Sequence, residues 1–446
     1  MLTVLVLLVA LEAPAIAAPL HEQEFRVPAT AEVVAVVTAS CAECDWGRHG
    51  HEAAALELIV DDRPARYLFL IRGSESAEYR VALGRLSAGS HRLVVRLDRT
   101  RSAEKARTAT VARAVIEPAA PGSEAERRLA YAPILMARPN TVGRFSDVPL
   151  VMWTETETTP RGTWIRYSVV FSNEDGGTPP DRLMATWGRL TDIEYVYGVE
   201  LDAGGRVLAE EFQGPEHKLT PFQGAREAAQ PLMYVVTDNN MVSDHGEATL
   251  RFALAPFPFD LSGVSREAVM DANPWTYAVS VREARREKRI DEKARPGAKK
   301  LPDPRRFATL EACAATADAT ITFSIGVRAA SGPDRWFDSA GGLPGFRIGR
   351  QATEFPNGCF RGAVALPPGT SADDVVGLRF RAFTRRTRQS EPPLAKGAGS
   401  ARLQRVNTVF LLGANDEPGA SLFSWRGDSA LEPEGPALEI PFQRAR

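Results

Sequence analysis

The stretch that decides the fold is Asp192–Phe212, DIEYVYGVELDAGGRVLAEEF. Ile193 to Leu201 reads as a strand. Asp202-Ala203-Gly204-Gly205 follows as a hairpin turn, because glycine accepts positive φ, and Val207 to Phe212 returns as a second strand. The same pattern of short apolar or alternating runs bounded by turn residues continues on both sides. Leu150–Trp153, Trp164–Phe171, Leu232–Thr237 and Ala248–Leu254 are further strand candidates, so the region 124–294 is predicted as an antiparallel β-sandwich. Its C-terminal part is helical: Ser265 offers an N-cap, and the charged run Ser280–Lys293 is predicted as a solvated helix laced with i,i+4 pairs.

Working outward, residues 18–117 repeat the theme. Val33–Thr38, Ala55–Val60, Arg66–Leu70 and His91–Leu97 alternate or run apolar between turns such as Asp61-Asp62-Arg63-Pro64. Pro118–Ser123 reads as a linker, and Arg295–Arg306, rich in Pro and Lys, as another. Residues 307–446 form a third β unit, with Ala319–Val327, Val375–Phe383 and Val406–Leu412 as strands. The fold class is therefore mainly β, several antiparallel β-sandwich domains with a short helical segment near 265–293.

Composition bounds the function. The chain has 446 residues, 44% hydrophobic and 25% charged, with net charge -2. That balance gives no electrostatic argument for nucleic acid. The start, MLTVLVLLVALEAPAIAAPL, is an apolar run ending in the small-x-small Ala15-Ile16-Ala17, so residues 1–17 are predicted as a signal peptide and the protein as secreted or periplasmic. No later segment is long and apolar enough for a transmembrane span. An oxidising compartment favours disulfides among Cys41, Cys44, Cys313 and Cys359. Pairing Cys41 with Cys44 and Cys313 with Cys359 is the simplest of three connectivities.

Candidate chemistry centres on Asp192 and Glu194. Two apart on a strand, they share a face, and like charges side by side need a cation or an arginine. One reading gives them a divalent metal (Ca²⁺, Mg²⁺, Mn²⁺ or Zn²⁺) with His217, one hairpin later, as a third ligand. The other pairs them with Arg182, Arg189 or Arg206 at a surface. Asp238 and His245, in the polar run after Val236, and Asp175, in the acidic loop Asn173–Gly177, are secondary ligand-binding candidates; Asx-rich stretches otherwise make turns. No Gly-x-Ser-x-Gly elbow or phosphate loop occurs.

Gly188-Arg189-Leu190-Thr191-Asp192-Ile193-Glu194 leading into a strand, followed by Gly204-Gly205 and His217, resembles a motif of the necrosis- and ethylene-inducing-like proteins and the vacuolar-sorting-related β-sandwich proteins. Tyr131-Ala132-Pro133, Asp147-Val148-Pro149-Leu150 and Leu232–Val236 are similar to neighbouring strands of those domains, so the likeness spans residues 131–254. Gly188, Asp192 and Glu194 match in place, while Ile193 stands for the motif's Trp and Arg189 and Thr191 for its two His. The resemblance implies a carboxylate- and imidazole-held divalent metal used in binding a membrane glycolipid. The expected function is thus binding of an extracellular or envelope glycan or lipid, through a divalent metal at Asp192, Glu194 and His217. A metal-assisted hydrolase of glycans or esters, or a structural or assembly protein that holds an envelope protein partner, are the alternatives.

Overall fold

The computed structural model describes residues 18–174, 176, 178–295, 297–349, 358–387 and 391–442. Strands dominate, and they pair into three two-sheet sandwiches. Among the described residues no helix is long and apolar enough to cross a membrane.

The first sandwich holds β1 (His21–Val27), β2 (Ala31–Ser40), β3 (Ala55–Val60), β4 (Arg66–Phe69), β5 (Ala77–Leu86), β6 (Gly89–Asp98) and β7 (Thr110–Pro118). Its sheets run β1-β6-β3-β4 and β5-β2-β7. β2 is apolar on both faces for a reason. Val33, Ala35 and Val37 enter the inter-sheet core, while Val34 and Val36 meet Leu129 of helix α1 (Glu124–Ala130) on the other side. A Cys41–Cys44 disulfide closes the turn after β2.

The second sandwich comprises β8 (Ile134–Ala137), β9 (Pro149–Thr158), β10 (Thr163–Phe171), β11 (Asp192–Leu201), β12 (Val207–Gly214), β13 (Lys218–Pro221), β14 (Arg226–Glu227), β15 (Gln230–Val235), β16 (Val242–Ser243), β17 (Leu250–Phe252) and β18 (Phe257–Pro258). One sheet runs β13-β12-β11-β10-β9-β18 and the other β14-β15-β8-β17, with β16 on β15. Most pairs are antiparallel; β8–β15 and β9–β18 are parallel. The hairpin predicted at Asp202–Gly205 is present: Gly205 has φ 82°, and Asp202 Oδ1 accepts from the backbone N–H of Gly204 and of Arg206, each at 2.9 Å. Helices α2 (Pro139–Val142) and α3 (Pro180–Trp187) interrupt the strands.

The third sandwich is built from β19 (Phe307–Ala317), β20 (Ala319–Val327), β21 (Arg335–Asp338), β22 (Cys359–Ala365), β23 (Val375–Thr384), β24 (Ser400–Leu411), β25 (Trp425–Leu431) and β26 (Leu438–Pro441), in sheets β22-β19-β24-β25 and β21-β20-β23-β26. It has its own apolar core. Cys313 and Cys359 lie directly opposite on β19 and β22 and are bonded.

The first two sandwiches are not spatially separate, although Pro118–Ser123 reads as a linker. One apolar cluster runs through both. β5 also hydrogen-bonds the segment after β17: Ala82 N–H donates to Ala253 O at 2.7 Å, and Ala255 N–H to Arg80 O at 3.1 Å.

The helical segment corrects the prediction of a solvated helix over Ser280–Lys293. It consists of α4 (Ala268–Asp271) and α5 (Trp275–Arg286), and α5 buries Thr276–Val281, Glu283 and Ala284. Arg286 and Arg289 both meet Glu287 within the run, but other contacts of its charges reach other units. Trp46 of the first sandwich donates its indole N–H to Glu283 at 3.0 Å. Arg286 donates to Trp46 O at 2.8 Å and Phe145 O at 2.6 Å, and Arg285 pairs with Asp416 of the third sandwich at 2.5 Å. Beside the helix, the fully buried Arg361 of β22 holds Asp271 and Glu311, each at 2.6 Å, and the Tyr277 hydroxyl at 2.5 Å.

Candidate functional site

Asp192 and Glu194 open β11 opposite Phe171 and Val169 of β10. They share one face, as their spacing predicts, and that face turns inward: Asp192 is 2% and Glu194 5% exposed. Glu174, in the loop after β10, is buried with them. Asn240, at the turn after β15, donates its side-chain N–H to Asp192 Oδ2 and to Asn173 O, both at 3.1 Å. Asp192 Oδ1 accepts from its neighbour's backbone, Ile193 N–H, at 2.8 Å. The arginine that meets these acids is Arg189, 3.8 Å from Asp192 and 3.3 Å from Glu267; Arg266 lies 3.7 Å from Glu267. The two Arg189 pairs are buried, not at the surface that the arginine reading placed them on, and Arg266 is partly exposed.

The electrostatics divide the carboxyls. Burial would raise Glu267, but the guanidiniums of Arg266, Arg189 and Arg361 outweigh it and hold its pKa below the usual value. Burial, then the charge of Asp192, pushes Glu194 well up and Glu174 to about 7. Asp192 is raised by burial too, although Arg189 and Asn240 pull it back. Three buried carboxyls with raised pKa values thus lie in the field of two arginines.

His217 does not join it. It sits in an exposed 3-10 turn, Pro215–His217, after β12, with φ 56° and no hydrogen bond among the described residues. β12 pairs with β11 only from Gly198 to Leu201, the end of β11 away from Asp192. Among the described residues no three His, Cys, Asp or Glu are grouped to hold a metal ion. Asp238 is exposed and pairs with Arg138 at 2.5 Å, and His245 is exposed beside Asp244, also at 2.5 Å. The stretch between them makes the turn that Asx-rich sequence favours: Asn240 N–H donates to Thr237 O, and Asn240 has φ 55°. Asp175 lies outside the described residues. Tyr195 and Tyr197, which simple alternation puts on one face, are split by a bulge in β11. Tyr195 reaches Glu211 and Tyr197 reaches Glu210, adjacent residues that face opposite ways.

Gly188, the first residue of the matched motif, has a structural duty. It ends α3 in the left-handed conformation, φ 62°, and a Cβ there would come within 2.7 Å of the Arg361 side chain.

Sequence reasoning missed a second location, a cleft of about 810 Å³. Thr154, Thr156 and Thr158 of β9 share a face with Ile165 and Thr163 of β10, because their register partners are Tyr167, Ile165 and Thr163. Helix α1 is fixed above this face: the Tyr167 hydroxyl donates to Arg128 O at 2.8 Å. The segment after β18 closes the other side, with Phe259 N–H donating to Thr154 O at 3.0 Å. Within the cleft wall, Thr154 Oγ1 and Arg128 Nε are buried and have no hydrogen-bond partner. Arg128 also forms no ion pair among the described residues. The alternation Thr154-Glu155-Thr156-Glu157-Thr158 was the visible signal: period two sends three hydroxyls to one face of a strand.

Compared with known proteins, the chain matches no protein-family model and no curated protein.

Proposed function

We propose that the protein is exported and non-enzymatic, and that it binds a glycan of the cell envelope or its surroundings in the cleft beside β9 and β10. The observation that carries this reading is the pair of buried, unpartnered polar atoms, Thr154 Oγ1 and Arg128 Nε, beside a row of threonine hydroxyls. A buried donor without a partner costs about 1–3 kcal/mol, a cost that a bound hydroxyl-rich ligand removes. The two disulfides and the apolar leader support an oxidising, extracytoplasmic setting. The reading needs no metal at Asp192 and Glu194.

Saturation-transfer NMR and calorimetry of the purified protein against a panel of neutral and charged oligosaccharides test it. A cleft ligand should bind about tenfold more weakly to Arg128→Ala and to Thr154→Val, with folding unchanged. No binding across the panel, or equal affinity in both variants, overturns the reading. Ligand recovered as cleaved product would turn it into a hydrolase.

A further inference from the structure

The outer face of the third sandwich carries a different arrangement, a trench of about 680 Å³ across β20, β21, β23 and β26. Trp336 of β21 pairs with Gly326 of β20, where an added Cβ would meet the indole at 2.9 Å. The missing side chain is what lets the ring lie against the sheet. The Arg379 guanidinium lies over that ring, 3.8 Å from its centroid, and Arg347 lies over Phe383 at 3.6 Å. Stacking on a ring fixes a guanidinium in place while its N–H donors still point outward along its edge.

Arg381 stands between these two stacked pairs. Arg379, Arg381 and Phe383 alternate along one face of β23, and Arg381 is exposed. Its cross-strand partner is Thr322 of β20, which is 2% exposed and whose Oγ1 has no hydrogen-bond partner. Arg379 is partly neutralised by Glu439 of β26 at 2.8 Å. Arg381 and Arg347 have no carboxylate within ion-pair reach among the described residues. The trench thus offers the guanidinium of Arg381 and that of Arg347, the latter held flat and in the electrostatic range of Asp338, which also lines the trench, and of Glu434, together with a buried hydroxyl.

We infer that this trench is a second binding site, independent of the cleft beside β9, and that it takes an acidic polysaccharide through its carboxylate or sulfate groups. The guanidinium fork matches a planar oxyanion with two parallel hydrogen bonds. Thr322 and Ser324, both lining the trench, suit the hydroxyls between the charged groups. A lipid surface fits less well. Among the described residues the exposed large apolar side chains are Val207, Leu219 and Val236, all in the second sandwich, and none of them lies beside the trench to enter a bilayer.

Calorimetry with polygalacturonate oligomers, dextran sulfate, neutral dextran, sodium sulfate alone, and phosphatidylserine-containing vesicles tests the inference. The acidic oligomers should bind, more weakly as salt rises, and neutral dextran should not. Arg381→Ala, at an exposed and unpaired position, should weaken binding about tenfold or more, and Thr322→Val should weaken it several-fold. Arg128→Ala should leave it unchanged, which separates this site from the cleft. Equal affinity of the wild type and an Arg347→Ala/Arg381→Ala double variant for the acidic oligomers overturns the inference. So does equal binding of neutral dextran, binding of free sulfate as tight as that of the oligomers, or binding confined to vesicles.

Discussion

Raising the pH from 5 to 8 should destabilise this protein, and Glu174 should be a principal cause. Burial and the nearby Asp192 charge move its carboxyl from an ordinary 4.5 to about 7. Between those values the folded chain keeps a proton that the unfolded chain has released. Its contribution is therefore complete below pH 4.5 and is lost as pH rises through 7. At about 1.4 kcal/mol per tenfold change, that separation corresponds to about 3 kcal/mol. Glu194 and Asp192, raised by burial, act in the same direction. Glu267, held low by its arginines, contributes stability above its unfolded value that falls away only in more acidic solution, so it leaves this window flat. His91 is raised by its hydrogen bond to Asp61 and also loses stabilisation as pH rises, so it needs its own control, His91→Gln. The assay is the urea midpoint at each pH for the wild type and Glu174→Gln. The amide oxygen of Gln can still accept the 3.0 Å hydrogen bond from Thr178 N–H. The wild-type midpoint should fall with pH, and the variant should flatten the profile. A wild-type stability that is level or rising from pH 5 to 8, or an unchanged slope in Glu174→Gln, would refute the electrostatic account of this cluster.

Arg361→Met should cost about 3–5 kcal/mol in chemical denaturation, because it leaves Glu311 buried and unpaired; a loss under about 1 kcal/mol would mean that water reaches the site. Gly188→Ala should cost about 1–3 kcal/mol, since a Cβ at φ 62° would also meet Arg361 at 2.7 Å, and a thermal melt reads this directly. Replacing Cys313 and Cys359 by Ser should remove about 4 kcal/mol in the chain-entropy account, given their separation of 46 residues. The matching change at Cys41 and Cys44, three residues apart, should cost far less, and the two urea midpoints compare them.

The strands were legible because burial on one or both faces writes itself into local sequence. Asp202–Gly205 and the Ala319–Val327 alternation are examples, and both stand where the pattern puts them. The helices were less legible. α1 carries its own signal, Ser123 with Glu126 three residues on, and Ser123 Oγ does accept from Glu126 N–H at 3.1 Å. α3 likewise begins at Pro180 and ends before Gly188. Both are short, and turn residues around them hid the pattern. Charge misled the reading of α5, since arginines that look solvated in sequence are bound to carbonyls and carboxylates far along the chain. The acid pair was found for the right reason, strand parity, but no local pattern reports which distant group comes to meet it. Arg189, only three residues before Asp192, supplied the cation, and His217 stayed in an exposed turn.

The position of α5 bears on how this architecture can be cut or recombined. Trp46, Phe145 and Asp416 each grip the same twelve-residue helix, so it acts as a keystone and not as a tether. Excising any one sandwich along its apparent borders would strip a partner from that helix. A recombinant fragment ending before Trp275 would expose the indole of Trp46, and one beginning after Arg286 would strand Asp416. A sandwich moved on its own would therefore leave these buried polar groups without their partners.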